Sequence, residues 1–117
     1  MISGECHCGR VGFEIAQPPD FLVDCNCSIC RRLGALWGHI NKKNFTRTGT
    51  GKTIEYIQGD NTLATQSCLH CGCTTHWENI SGKSRMAVNF RMCDPDVVSR
   101  FEIRKFDGAD TWAFIDK

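Results

Sequence analysis

Apolar residues recur at every second position over several short stretches of this chain, and Gly, Pro, Asn and Asp separate those stretches. Residues 4–15 read as a hairpin. Ile2, Val11, Phe13 and Ile15 suit strands, Cys8-Gly9-Arg10 supplies the turn, and alternation puts Val11, Phe13 and Ile15 on one core-facing side. Pro18-Pro19-Asp20 breaks the pattern, and Phe21-Leu22-Val23 is a short strand. Residues 28–33 predict one or two helical turns, with Ser28 as N-cap and Gly34 as the C-terminal stop. Further strands are expected over 35–40, 53–58, 62–67, 74–78 and 84–90. Residues 41–52 are polar and read as a loop anchored by Phe45. Asp94 caps a short helix with Pro95 in its first position, running to about Arg100. A last strand is expected over 101–106, followed by a tail without periodicity in which Trp112 and Phe114 should pack. The sum is a mostly β domain with short helices, spanning residues 1–117 without repeat or linker.

Charge narrows the partners. Lys and Arg total 14 against 13 for Asp and Glu, so the net charge is +1. That balance offers no general attraction to nucleic acid or anionic membrane. No apolar run approaches the ~20 residues that a membrane-spanning helix needs. A small-molecule partner is therefore expected, with neither nucleic acid nor membrane; nothing in the sequence sets an oligomeric state.

The nine cysteines change the picture most. A disulfide scaffold is the bland explanation, but the count is odd and residues one apart bridge poorly. Residues 1–6 lack the basic and apolar parts of a signal peptide. A reducing, cytoplasmic setting and metal binding are the expectation. The thiols fall as Cys6-x-Cys8, Cys25-x-Cys27-x-x-Cys30 and Cys68-x-x-Cys71, with Cys73 and Cys93 left over. A closed four-ligand zinc is structural, whereas a catalytic zinc keeps three protein ligands and an open position. The economical partition is Cys6, Cys8, Cys68 and Cys71 around one structural zinc, and Cys25, Cys27 and Cys30 around a second, catalytic one. Spacing also permits one site built from the triad with Cys71 or Cys73. Gly72 after the knuckle lets the loop fold back toward the sulfurs. Cys73 and Cys93 read as small core residues.

The chain resembles the glutathione-dependent formaldehyde-activating enzyme family. The resemblance rests on Gly4-Glu5-Cys6-His7-Cys8-Gly9-Arg10-Val11, Cys25-Asn26-Cys27-Ser28-Ile29-Cys30-Arg31-Arg32 and Cys68-Leu69-His70-Cys71-Gly72, in that order, and covers about residues 4–90. It implies an Mss4-like fold of several small antiparallel sheets with short helices, pinned by zinc. It also implies two zincs per chain, divided among the cysteines as in the economical partition. Asn26 stands where this family commonly has histidine in its triad. The implied activity is that of a carbon–sulfur lyase, joining formaldehyde and glutathione as S-hydroxymethylglutathione. Zinc can hold a substrate thiol as thiolate or polarise a carbonyl. Arg31 and Arg32 are candidates to meet glutathione carboxylates, and Trp37 to wall the pocket; solvated arginines and a core tryptophan are the plainer readings. His39 is a candidate proton shuttle, against a plainer core or surface role. His7, His70 and His76 sit close to thiols in sequence, but the cysteines suffice as ligands. Two rivals stand beside the lyase. One is a zinc-stabilised binding module without catalysis. The other is a thiol redox enzyme of the methionine sulfoxide reductase type, which needs Cys73 or Cys93 as its reactive thiol.

Overall fold

The computed structural model describes residues 1–115. Its strands are β1 (Ile2–Glu5), β2 (Gly12–Ile15), β3 (Leu22–Cys25), β4 (Trp37–Asn41), β5 (Phe45–Thr48), β6 (Thr53–Gln58), β7 (Leu63–Cys68), β8 (Thr74–Asn79), β9 (Arg85–Asn89) and β10 (Ile103–Phe106). Two short helices accompany them, α1 (Cys30–Leu33) and α2 (Pro95–Val98). The mostly β expectation holds, and every strand predicted by alternation is present.

The strands form a three-stranded sheet, β1-β2-β5, and a seven-stranded sheet, β10-β3-β4-β9-β8-β7-β6. All pairings are antiparallel except that of β10 with β3, which is parallel and sets Phe106 opposite Cys25. Phe13 and Ile15 from the small sheet share one buried cluster with Leu22, Trp37, Ile40 and Val88 from the large one and with Phe90 just after β9. A second cluster centres on Cys6, Val11 and Cys68, with Cys71, Cys73 and Met92 against it. The main core is thus apolar side chains, and the smaller one is built largely of sulfur.

Two local expectations are corrected. Residues 41–52 are not a plain loop. The Asn41 side chain accepts the Lys43 N–H at 3.0 Å, which turns the chain through a 3-10 turn at Lys42–Asn44 into β5. There Arg47 pairs with Phe13 and Phe45 with Ile15. The polar composition reflects an exposed edge strand, which alternation alone does not flag. Ser28 does not cap α1, whose start has no hydroxyl cap. The Cys30 N–H goes instead to Cys27 Sγ at 3.4 Å. Gly34 does close the helix, at φ 66°, a left-handed position that glycine occupies without cost. The tail packs as expected, with Trp112 and Phe114 edge-on to Phe106: the Asp107 N–H meets the Ala113 carbonyl, the Trp112 N–H meets the Asp107 carbonyl, and Phe114 bridges to Phe106.

α2 forms as expected. Asp94 accepts the Asp96 N–H at 2.9 Å, and Pro95 fills the first position. Among the described residues no helix is long and apolar enough to cross a membrane.

Candidate metal centres and the cleft

Strand ends bring the cysteines together. The β1–β2 turn carries Cys6 and Cys8, the end of β7 carries Cys68, and the turn after it carries Cys71. Their sulfurs lie within 4.8 Å of one another, with Cys6 Sγ 3.7 Å from Cys8 Sγ and Cys8 Sγ 3.6 Å from Cys68 Sγ. A zinc tetrahedron with bonds of ~2.3 Å has sulfur–sulfur edges of about 3.8 Å, so the spacing fits that ion. Backbone N–H groups aim at the sulfurs: Val11 at Cys6 (3.4 Å), His70 and Cys71 at Cys68 (3.3 and 3.5 Å). The electrostatics sort the thiols. Burial pushes Cys6 up to about 11. The Arg10 N–H and guanidinium hold Cys8 below its ordinary range. The Cys73 N–H, helped by that of Cys8, holds Cys71 down at about 5. Cys71 is thus a thiolate at neutral pH, ready for a divalent ion.

The second group is Cys25 at the end of β3, Cys27 in the following turn, and Cys30 at the start of α1. Their sulfurs also lie within 4.8 Å of one another, and among the described residues no fourth Cys, His, Asp or Glu joins them. Three converging thiols without a fourth protein ligand fit an open zinc site. Cys73 and the Cys71 knuckle belong elsewhere, which removes the single-site alternative. All nine thiols are free of disulfides.

Around the triad the polar contacts are few and specific. Burial alone would raise Cys27, but the Cys30 N–H and neighbouring thiols outweigh it and lower its pKa. Burial pushes Cys25 up. It pushes Cys30 up further, opposed in part by Trp37, whose indole N–H donates to Cys30 Sγ at 3.2 Å. Asn26, beside two of the thiols, donates from Nδ2 to Asp107 at 3.1 Å and accepts the Ala109 N–H at 3.0 Å. That pair of bonds lays residues 107–109 against the triad. Gly108 comes so close that a Cβ there would sit 2.7 Å from Cys25 Sγ and 3.1 Å from Cys27 Cβ. Nothing in the local pattern of the tail announces this packing.

The triad opens into a cleft of about 870 Å³. Trp37, His39 and Asn41 of β4 line it, with Arg85 of β9, Trp77 of β8, and Leu63 and Thr65 of β7. Phe106, Trp112 and Phe114 line it from the tail side, and Phe106 meets Trp112 edge-on at 5.0 Å. Ala87 pairs with both His39 and Trp77. Its small side chain lets those two rings approach to 5.8 Å, edge to face. Burial, reinforced by the charge of Arg85, pushes His39 down to about 4, so it is neutral at pH 7.

The other sequence candidates fall outside this cleft. Arg31 and Arg32 are exposed on α1, and neither lines it. Arg32 donates to the Ser28 carbonyl at 2.7 Å. His7 and His70 are exposed, and no histidine joins either sulfur group among the described residues. His76 bonds Thr75 Oγ1 at 2.8 Å and Glu78 at 3.1 Å. That hydroxyl–imidazole–carboxylate chain is structural, because Thr75 is fully buried and no substrate can reach it. Cys93 is buried and pushed up to about 11 by that burial, which makes it a poor nucleophile. Arg85, Trp77 and Gly108 went unmarked in the sequence, since no spacing rule links them to the triad.

A crystal structure of a Rhodobacter sphaeroides protein superposes with a TM-score of 0.71 and 25% sequence identity, covering 87% of this chain and 99% of that one. The sequence profile of the glutathione-dependent formaldehyde-activating enzymes matches residues 1–105. Its span takes in both cysteine groups and all ten strands except the last residue of β10, and the chain is a member of that family.

Proposed function

We propose that this protein is a zinc-dependent carbon–sulfur lyase that equilibrates a small thiol and formaldehyde with their S-hydroxymethyl adduct, glutathione being the thiol in the family's reaction. The observation that carries the reading is the contrast between the two sulfur groups: four ligands enclose one, while three ligands face a cleft in the other. Cys6, Cys8, Cys68 and Cys71 would hold a structural zinc. Cys25, Cys27 and Cys30 would hold the catalytic one, which supplies Lewis acidity that keeps a substrate thiol deprotonated at neutral pH.

The chain's own residues do the rest. The Cys30 N–H and the Trp37 indole N–H offset part of the negative charge gathered on three sulfurs. Trp37, Phe106 and Trp112 wall the cleft beside the triad. In the forward direction a carbon–sulfur bond forms, the carbonyl π bond breaks, and the thiol proton ends on the former carbonyl oxygen. His39 is neutral at pH 7 and lines the same cleft, and in this reading its unprotonated ring nitrogen relays that proton.

The test is exchange spectroscopy on 13C-formaldehyde with glutathione, using protein loaded with two zincs. Faster adduct formation than in buffer, lost in Cys27→Ser, is expected. Loaded, folded protein that leaves the exchange rate at its buffer value would end the lyase assignment.

A further inference from the structure

We propose that Arg85 is a specificity-determining residue: it receives a carboxylate of the substrate at the far end of the cleft from the sulfur triad. The inference rests on the lyase reading for the identity of the reacting end, and stands on separate residues. β4 runs the length of the cleft. Its first residue, Trp37, bonds the triad through Cys30, and its last, Asn41, pairs with Arg85. Four residue steps at ~3.4 Å put those ends about 14 Å apart, part of which an arginine side chain spans.

Between the ends the lining is largely apolar or neutral: Trp77, Leu63 and Thr65, and a His39 that burial keeps uncharged. At the far end Arg85 stands beside Ser84 and Asn41, whose side chains bond each other at 3.2 Å. Arg85 is exposed, and no acidic side chain of the described residues pairs with it. Among the described residues the one carboxylate lining the cleft, Asp20, belongs to the segment preceding β3. A guanidinium with no acidic partner among the described residues, facing a cleft whose chemistry lies at the other end, matches a ligand with a terminal carboxylate and a thiol several bonds away. An arginine fork recognises a carboxylate with two parallel hydrogen bonds.

The test uses S-methylglutathione, which keeps both carboxylates and cannot react through sulfur, titrated into zinc-loaded protein and followed by calorimetry. Arg85→Gln should weaken its binding about tenfold or more, with Arg85→Lys between the two. S-methyl-N-acetylcysteamine, which lacks a carboxylate, should bind wild type and Arg85→Gln alike. Equal affinity of wild type and Arg85→Gln for S-methylglutathione, or no binding by the wild type, would overturn the proposal. Binding is read without turnover. Arg85-dependent binding in a protein that forms no adduct would therefore remove the lyase reading and leave the subsite, whereas turnover with Arg85-independent binding would do the reverse.

Discussion

Trp37 Nε1 lies 3.2 Å from Cys30 Sγ, and this hydrogen bond joins the large sheet to the sulfur triad. The donor matters because Cys30 is the thiol whose pKa burial raises furthest within the triad, to a direction that opposes metal binding. Trp37→Phe keeps the aromatic wall and removes the N–H. The expected result is a roughly 10–100-fold loss of affinity at the three-sulfur site, measured by competition with a chromophoric chelator. The four-sulfur site should be unaffected. Unchanged affinity at both sites would show that the contact is packing alone.

The two sulfur groups should fail differently. Cys68 is fully buried and belongs to the enclosed group, so Cys68→Ser should lower Tm by about 10 °C or more, if the protein folds at all. Cys27 is half-buried in the open group. Cys27→Ser should reduce bound zinc from two per chain to one, with Tm within about 4 °C of wild type. Metal analysis paired with calorimetry reads both. Identical losses of stability would mean that both ions serve the fold.

Gly108 is the tail's closest approach to the triad. A methyl group there meets Cys25 Sγ at 2.7 Å, so Gly108→Ala must push residues 107–109 outward at a cost of about 1–3 kcal/mol. Asn26→Ala should loosen the same segment by removing its bonds to Asp107 and Ala109. Both variants are expected to expose the tail to limited proteolysis and to change the fluorescence of Trp112, with the melting of the two sheets little altered. Protease resistance equal to wild type would contradict this account of the tail.

His39 sets an acid limit. Its pKa falls from 6.5 to about 4 on folding because burial, then the charge of Arg85, disfavours the imidazolium. The unfolded chain therefore binds more protons between those two values. The contribution is fully present above pH 6.5 and is lost as pH falls toward 4, amounting to about 3 kcal/mol at most. His39→Gln should flatten the decline in stability between pH 6.5 and 4 relative to wild type, as read by denaturant titration at several pH values. Parallel curves would place the acid sensitivity elsewhere, in the thiolates or in His76.

The division between what was written locally and what required the fold follows the range of each interaction. Alternation located nine of the ten strands, Asp94-Pro95 started α2, and Gly34 ended α1, because those signals act over a few residues. Cysteine spacing suggested a group of four and a group of three but left open one site shared by the triad and Cys71 or Cys73; the fold sets Cys71 beside Cys6, Cys8 and Cys68 instead. The edge strand β5 escaped notice because a partner, β2, rather than its own polar sequence, makes it a strand. The parallel pairing of β10 with β3, the closure of residues 107–115 over the triad, and the alignment of His39, Arg85 and Trp77 along one cleft came only from tertiary structure. His39 lies tens of positions from Trp77 and Arg85 in the chain, and sheet register makes them neighbours. The amino-acid sequence by itself thus determined which atoms can bind metal, and the tertiary structure decided what a molecule bound there would touch.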